Sequence, residues 1–267
     1  HPRIASFFAG IGGLELGLEA ALDAETVYQV ERDPYARSIL ERHWPAAARH
    51  PDITTLRPDE IPHADVWCGG FPCQDISVAG RQEGIRGARS GLFFEWMRLV
   101  RAVRPGFIVM ENVPEILAGD NLGPVLGELA EAGYDAEWDV LGAWQVGAPH
   151  RRDRWFLIAW DASDAISHGD ARQVAAENPR PRGQRRARCA EDRYLDDGGW
   201  DRRPGGDRPG RSALLGVDDG LPSWMDRVRC LGNAVVPQCA YVIGLRLREI
   251  MEQHAALRGL RHLPPLC

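Results

Sequence analysis

The sequence predicts an α/β fold, a mostly parallel sheet with helices on both faces, joined to a small irregular arginine-rich region. Three observations predict it. Strand-like and helix-like segments alternate from residue 1 to about 160, as in a sheet built from strand–helix units. The first strand runs into a glycine turn, Gly10-Ile11-Gly12-Gly13, that opens a helix. The periodicity is then lost from Asp161 to Pro222, where Gly, Pro, Arg and Asp dominate, and returns near Trp224.

The elements follow in order. Arg3 to Phe8 is a short apolar strand, and the helix after the glycines starts an apolar stripe with Leu14, Leu16, Leu18 and Ala21. Further strands are expected at Thr26–Val30, Asp65–Cys68, Phe107–Glu111 and Trp155–Trp160. Helices are expected at Pro34–His43, Leu92–Val103 and Gly123–Ala132, the last stopped by Gly133. Val235 to His254 has helical spacing, with Pro237 tolerated in the first turn. This divides the chain into a large domain over 1–160, an insertion over 161–222 and a C-terminal segment over 223–267 that returns to the large domain.

Composition narrows the classes. The 267 residues are 44% hydrophobic and 26% charged, as in ordinary globular proteins. No apolar run in the sequence approaches the roughly 20 residues of a spanning helix, so no membrane partner is expected and the chain reads as cytoplasmic. The six cysteines lack the spacing of a disulfide framework or a zinc site, so reduced thiols and no metal are expected. The net charge of −6 argues against a nucleic-acid partner, but the stretch from Arg180 to Arg211 holds 10 Arg against 6 acidic residues. Every basic residue counted among the 32 Lys and Arg is Arg, which suits bidentate phosphate and guanine contacts and equally reflects a GC-rich genome.

Four segments carry chemistry. The turn from Phe8 to Gly13 offers backbone N–H groups at a helix start, and Glu31 ends the next strand where a carboxylate meets ribose hydroxyls. Together they favour a nucleoside cofactor. Cys73 follows the strand at Val66-Trp67-Cys68, in the turn Gly69-Gly70-Phe71-Pro72-Cys73-Gln74, at the strand end where open α/β sheets keep their active sites. Glu111 ends an apolar strand, where burial raises a carboxyl pKa and makes it a proton donor. The run His150-Arg151-Arg152-Asp153-Arg154 precedes the next strand. Each has a plainer reading: a tight turn, a buried structural Cys, a capping Glu and a solvated charged face.

Taken together and in this order, these segments and the terminal Gly232-Asn233-Ala234-Val235-Val236-Pro237 resemble the DNA cytosine-5 methyltransferase family, bacterial or phage type, over about Ile4–Trp160 and Val228–Leu247. The resemblance implies a Rossmann-like S-adenosylmethionine-dependent sheet, double-stranded DNA as partner, and methylation of a flipped cytosine at C5. It implies that Phe8, Gly10, Gly12, Gly13, Glu31, Asp52 and Ile53 bind S-adenosylmethionine, with Pro72, Leu92 and Asn233 as further walls. Cys73 would be the nucleophile, Glu111 the group at cytosine N3, and Arg152 and Arg154 the active-site arginines, Arg154 facing O2. The insertion would select the DNA sequence, in restriction-modification, phage protection or a solitary setting. Two positions depart from the family pattern: His150 stands at the usual Gln, and Ser6 at the usual acidic residue before the glycine turn. A tRNA-methylating branch is one alternative. A nucleotide-dependent dehydrogenase or a catalytically inactive nucleic-acid-binding module is another.

Overall fold

The computed structural model describes residues 1–72, 91–162 and 230–260. Cys73, nearly all of the insertion, and the first residues of the C-terminal segment therefore lie outside the described residues.

The described strands are β1 (Arg3–Phe7), β2 (Glu25–Val30), β3 (Ala48–His50), β4 (Val66–Gly70), β5 (Phe107–Asn112), β6 (Tyr134–Gly142) and β7 (Asp153–Asp161). They form one sheet in the order β3-β2-β1-β4-β5-β7-β6, parallel as far as β5, with β7 antiparallel to β5 and β6 antiparallel to β7. The helices are α1 (Gly13–Leu22), α2 (Pro34–His43), α3 (Gly91–Val103), α4 (Leu122–Glu131) and α5 (Pro237–Leu260). Two strands escaped the sequence pattern, β3 because it has three residues and β6 because acidic residues interrupt it.

Alternation along the strands divides the core between the two faces. Ala5, Phe7, Trp67, Ile108, Met110, Trp155 and Leu157 pack with Phe93, Trp96 and Leu99 of α3 and Val125 and Leu129 of α4. On the opposite face Ile4, Val66, Cys68, Val109, Phe156 and Ile158 meet Leu14, Leu18 and Leu22 of α1 and Cys239, Ala240, Leu247 and Ile250 of α5. By length and composition the helical stretch Cys230–Ala256, which contains most of α5, is apolar enough to span a bilayer, contrary to the expectation from the sequence. Its Cys239, Ala240, Leu247 and Ile250 lie on α1 and the sheet, while Val242 is exposed.

The stripe on α1 differs from the sequence pattern. Leu16 is 44% exposed, whereas Glu15 has no exposed surface. Residues at 14, 18, 21 and 22 line the inner face, and position 15 lies beside them in the helical wheel while 16 turns outward.

Chain order reverses between β1 and β4, the neighbours from which the sheet grows in opposite directions. The crevice at the carboxyl ends of strands beside such a reversal is where open α/β sheets bind ligands.

Candidate active site

The carboxyl ends of β1, β2, β4 and β5 border a cleft of about 640 Å³, within the range of small-molecule sites. Its walls include Phe8, Gly10, Glu31, Asp52, Ile53, Pro72, Leu92 and Asn233 of the expected cofactor residues, together with Glu111 and Arg154. Of the remaining expected residues, Gly13 lines a smaller recess of about 40 Å³ behind the turn. The α-carbon of Gly12 faces the Trp44 ring. Arg152 lines neither cavity, and Cys73 lies outside the described residues.

Glu31 holds the turn from below. Its carboxylate accepts hydrogen bonds from the backbone N–H of Gly10 and of Asp33, each at 2.7 Å. Burial raises its pKa, and those same hydrogen bonds oppose the rise. Each oxygen keeps acceptor capacity for a hydroxyl from the cleft. Phe8, a non-glycine residue, has a φ of 56°, a left-handed conformation that costs energy and recurs at functional sites. The Asp52 carboxylate accepts from the backbone and hydroxyl of Thr54 at 2.9 and 2.8 Å, which lowers its pKa and keeps it charged at the opposite rim.

Among the described residues, Glu111 is the deepest titratable group facing the cleft, only 8% exposed. Parallel pairing of β4 with β5 sets it opposite Gly70. A methyl group at Gly70 would come within 2.7 Å of Glu111 Oε2, so a larger residue there would push the carboxyl from its place. Arg154 Nε lies 3.0 Å from Glu111 Oε1. Burial acts one way and the positive charges of Arg154 and, after it, Arg152 act the other, and burial wins: the pKa is pushed up to about 7. The carboxyl is therefore substantially protonated near neutrality and can donate to a base.

Asn112 was not singled out from the sequence. Its amide Nδ2 donates to the Phe71 carbonyl at 3.2 Å and its Oδ1 accepts from the Val113 N–H at 2.8 Å. It thus ties the turn leaving β4 to the end of β5, fixing the chain one residue before Pro72. An amide at the end of an apolar strand, next to a candidate acid, is its signal in the sequence.

Glu15 was also missed. It is fully buried, and neither carboxylate oxygen has a hydrogen-bond partner among the described residues. Ser6 stands beside it and favours its charged form, though the pair falls short of a full hydrogen bond. Burial pushes its pKa up to about 7. Below an unfolded-state pKa near 4.5 both states hold the proton; as pH rises towards 7 only the native state keeps it, so stability falls through that window. The loss is complete above the folded pKa and amounts to about 3 kcal/mol. Glu15→Gln is expected to raise the thermal midpoint at pH 8 relative to wild type by several degrees more than at pH 5, as read by circular-dichroism melts. An equal effect at both pH values would mean that no buried charge is being relieved.

Comparison with known proteins places this arrangement. The profile of the family described as C-5 cytosine-specific DNA methylase matches residues 2–192. Type II methyltransferase M.HhaI of Haemophilus parahaemolyticus is 37% identical over 161 residues, covering 59% of this chain and 49% of that protein. Type II methyltransferase M2.BsuMI of Bacillus subtilis is 38% identical over 164 residues, covering 59% of this chain and 41% of its own length. The chain spans about half the length of the curated relatives it matches. Among solved structures, a putative DNA modification methyltransferase encoded within an E. coli prophage aligns at a TM-score of 0.53 and 25% identity, covering 64% of this chain and 49% of that one. The S. pombe Dnmt2 methyltransferase aligns at 0.52 and 25%, covering 60% and 51%.

Proposed function

Because the chain belongs to the C-5 cytosine-specific DNA methylase family, we propose that it methylates carbon 5 of a cytosine flipped out of double-stranded DNA, with S-adenosylmethionine as methyl donor. The observation that carries this reading is the Glu111–Arg154 pair on the wall of a cleft whose other end holds Glu31, Asp52 and Ile53.

The residues present fit the cofactor. Phe8, Ile53 and Leu92 provide apolar wall for an adenine, and Glu31 keeps acceptor capacity for ribose hydroxyls. Pro72 and Asn233 complete the enclosure towards Glu111. Bound there, S-adenosylmethionine supplies an electrophilic methyl group.

The chain's own residues activate the base. Cytosine C5 is a poor nucleophile until a thiolate adds at C6, which forms the S–C6 bond and drives the ring electron pair towards N3. Cys73 supplies the thiolate. Glu111 gives its proton or hydrogen bond at N3, and Arg154 neutralises charge at O2 while orienting the Glu111 carboxyl through its 3.0 Å contact. After C5 is methylated, loss of its proton to a base restores the C5–C6 double bond and expels the Cys73 thiolate. These atoms are buried in duplex DNA, so the base must leave the stack.

Against a dehydrogenase stands the family match, which also accounts for Cys73, Glu111 and Arg154. The test is conversion sequencing of plasmid DNA from cells expressing the protein, beside the same assay on their RNA. Methylated cytosines in one recurrent DNA context are expected. Unmodified DNA with newly methylated RNA would move the substrate to RNA, and no modification of either would leave a binding module.

A further inference from the structure

Arg152 and Arg154 are two residues apart at the start of β7, and the structure gives them different partners. Arg154 pairs with Glu111 through its Nε. Arg152 reaches the other way. Its Nη2 donates to the carbonyl of Gly232 at 2.7 Å and to that of Ala234 at 2.6 Å, across more than 75 residues of sequence. These two carbonyls bracket Asn233 and Ala234. Asn233 lines both the main cleft and the small recess, and Ala234 lines the recess.

The same segment is pinned from its other side. A methyl group on Gly13 would fall 2.2 Å from the Val235 carbonyl oxygen, so the helix start of α1 and the segment are in close backbone contact. Residues 232–235 are thus held between the glycine turn and one guanidinium. Without the guanidinium, two carbonyls lose their charged donor, and the wall carrying Asn233 loses its fixed position.

We propose that Arg152 is a positioning residue for the cofactor, acting through Asn233 by clamping the returning segment, and that it makes no contact with the base, bearing on Glu111 only through its charge. The assignment rests on the S-adenosylmethionine reading above. It separates the roles of the two arginines, with Arg154 serving the reacting ring and Arg152 the cofactor wall.

The test compares the variants by calorimetric titration with S-adenosylmethionine and by kcat at saturating cofactor. Arg152→Ala is expected to raise the cofactor Kd about 10-fold or more, the loss of one charge-assisted contact, with kcat within about threefold of wild type. Arg154→Ala is expected to do the reverse. Arg152→Lys keeps the charge and reaches one carbonyl, so an intermediate Kd is expected; it also preserves the test if the Ala variant does not fold. In an Asn233→Ala background, Arg152→Lys should weaken binding no further. An unchanged cofactor Kd in Arg152→Lys and Arg152→Ala with a reduced kcat would overturn the assignment, placing Arg152 at the base. So would additive losses in the Asn233→Ala background. If the wild-type protein itself does not bind S-adenosylmethionine, the cofactor reading fails and takes this assignment with it.

Discussion

DNA carrying 5-fluorocytosine at the methylated position is expected to become covalently joined to the wild-type protein when S-adenosylmethionine is present, and the adduct should survive denaturing electrophoresis. Attack of a thiolate at C6 and methylation at C5 proceed as with cytosine, but fluorine at C5 cannot leave as a proton does. Elimination is blocked, and the S–C6 bond persists. Cys73 is assigned this bond because it follows Pro72 in the chain, and Pro72 lines the cleft beyond the end of β4, where Gly70 stands opposite Glu111. Among the described residues, the buried thiols are unsuited: burial holds Cys68 far above the usual thiol range and pushes Cys239 up to about 11. Cys73→Ser should yield no adduct and no turnover. An adduct that survives Cys73→Ser and disappears when another cysteine is changed would remove Cys73 from the mechanism.

Glu111→Ala is expected to reduce the methylation rate by about 10²-fold or more, the lower range for positioned acid catalysis. Glu111→Gln keeps an N–H donor of similar shape and should fall between the two. The pH profile separates the roles further. With its pKa pushed up to about 7 by burial, Glu111 loses its proton as pH rises through neutrality, so the wild-type rate should acquire a falling alkaline limb. An amide does not titrate, and Glu111→Gln should lack that limb. Wild-type rates in Glu111→Ala, with S-adenosylmethionine binding unchanged, would exclude the acid role.

The parallel core strands and the helices could be read from residue pattern because each buries one continuous apolar set. Pro34–His43 matches its helix at both ends, since Asp33 caps it through Tyr35 and Ala36 and Pro34 occupies its first turn. Eight of the ten residues expected at the cofactor, all but Gly12 and Gly13, line one cleft, because several of them follow strand ends, which a parallel sheet gathers along one edge. What the pattern concealed depends on tertiary contact. Nothing local distinguishes Arg152 from Arg154, and only the placement of Gly232 and Ala234 gives the first a different partner. By residue type, Glu15 belongs on the solvent side of an amphipathic helix. Its burial depends on tertiary neighbours: Ser6 of β1 lies beside it, and it lines the small recess together with Asn233, Ala234 and Val235.

Among the described residues the sheet ends at β3 and β6, and these two borders carry a further consequence. An uncapped border strand exposes a row of unpaired amides, a template on which another polypeptide can assemble. At one border the ladder stops after three residues, Ala48–His50, too few to recruit a partner. At the other, β6 is long enough, but Asp135 and Asp139 are exposed there and Glu137 is half-buried and paired with Arg246. A second copy offering its own β6 would bring like charges into register, which opposes edge-to-edge aggregation. The carboxylates that disguise this strand in the sequence thus set like charges against a second β6 at this edge.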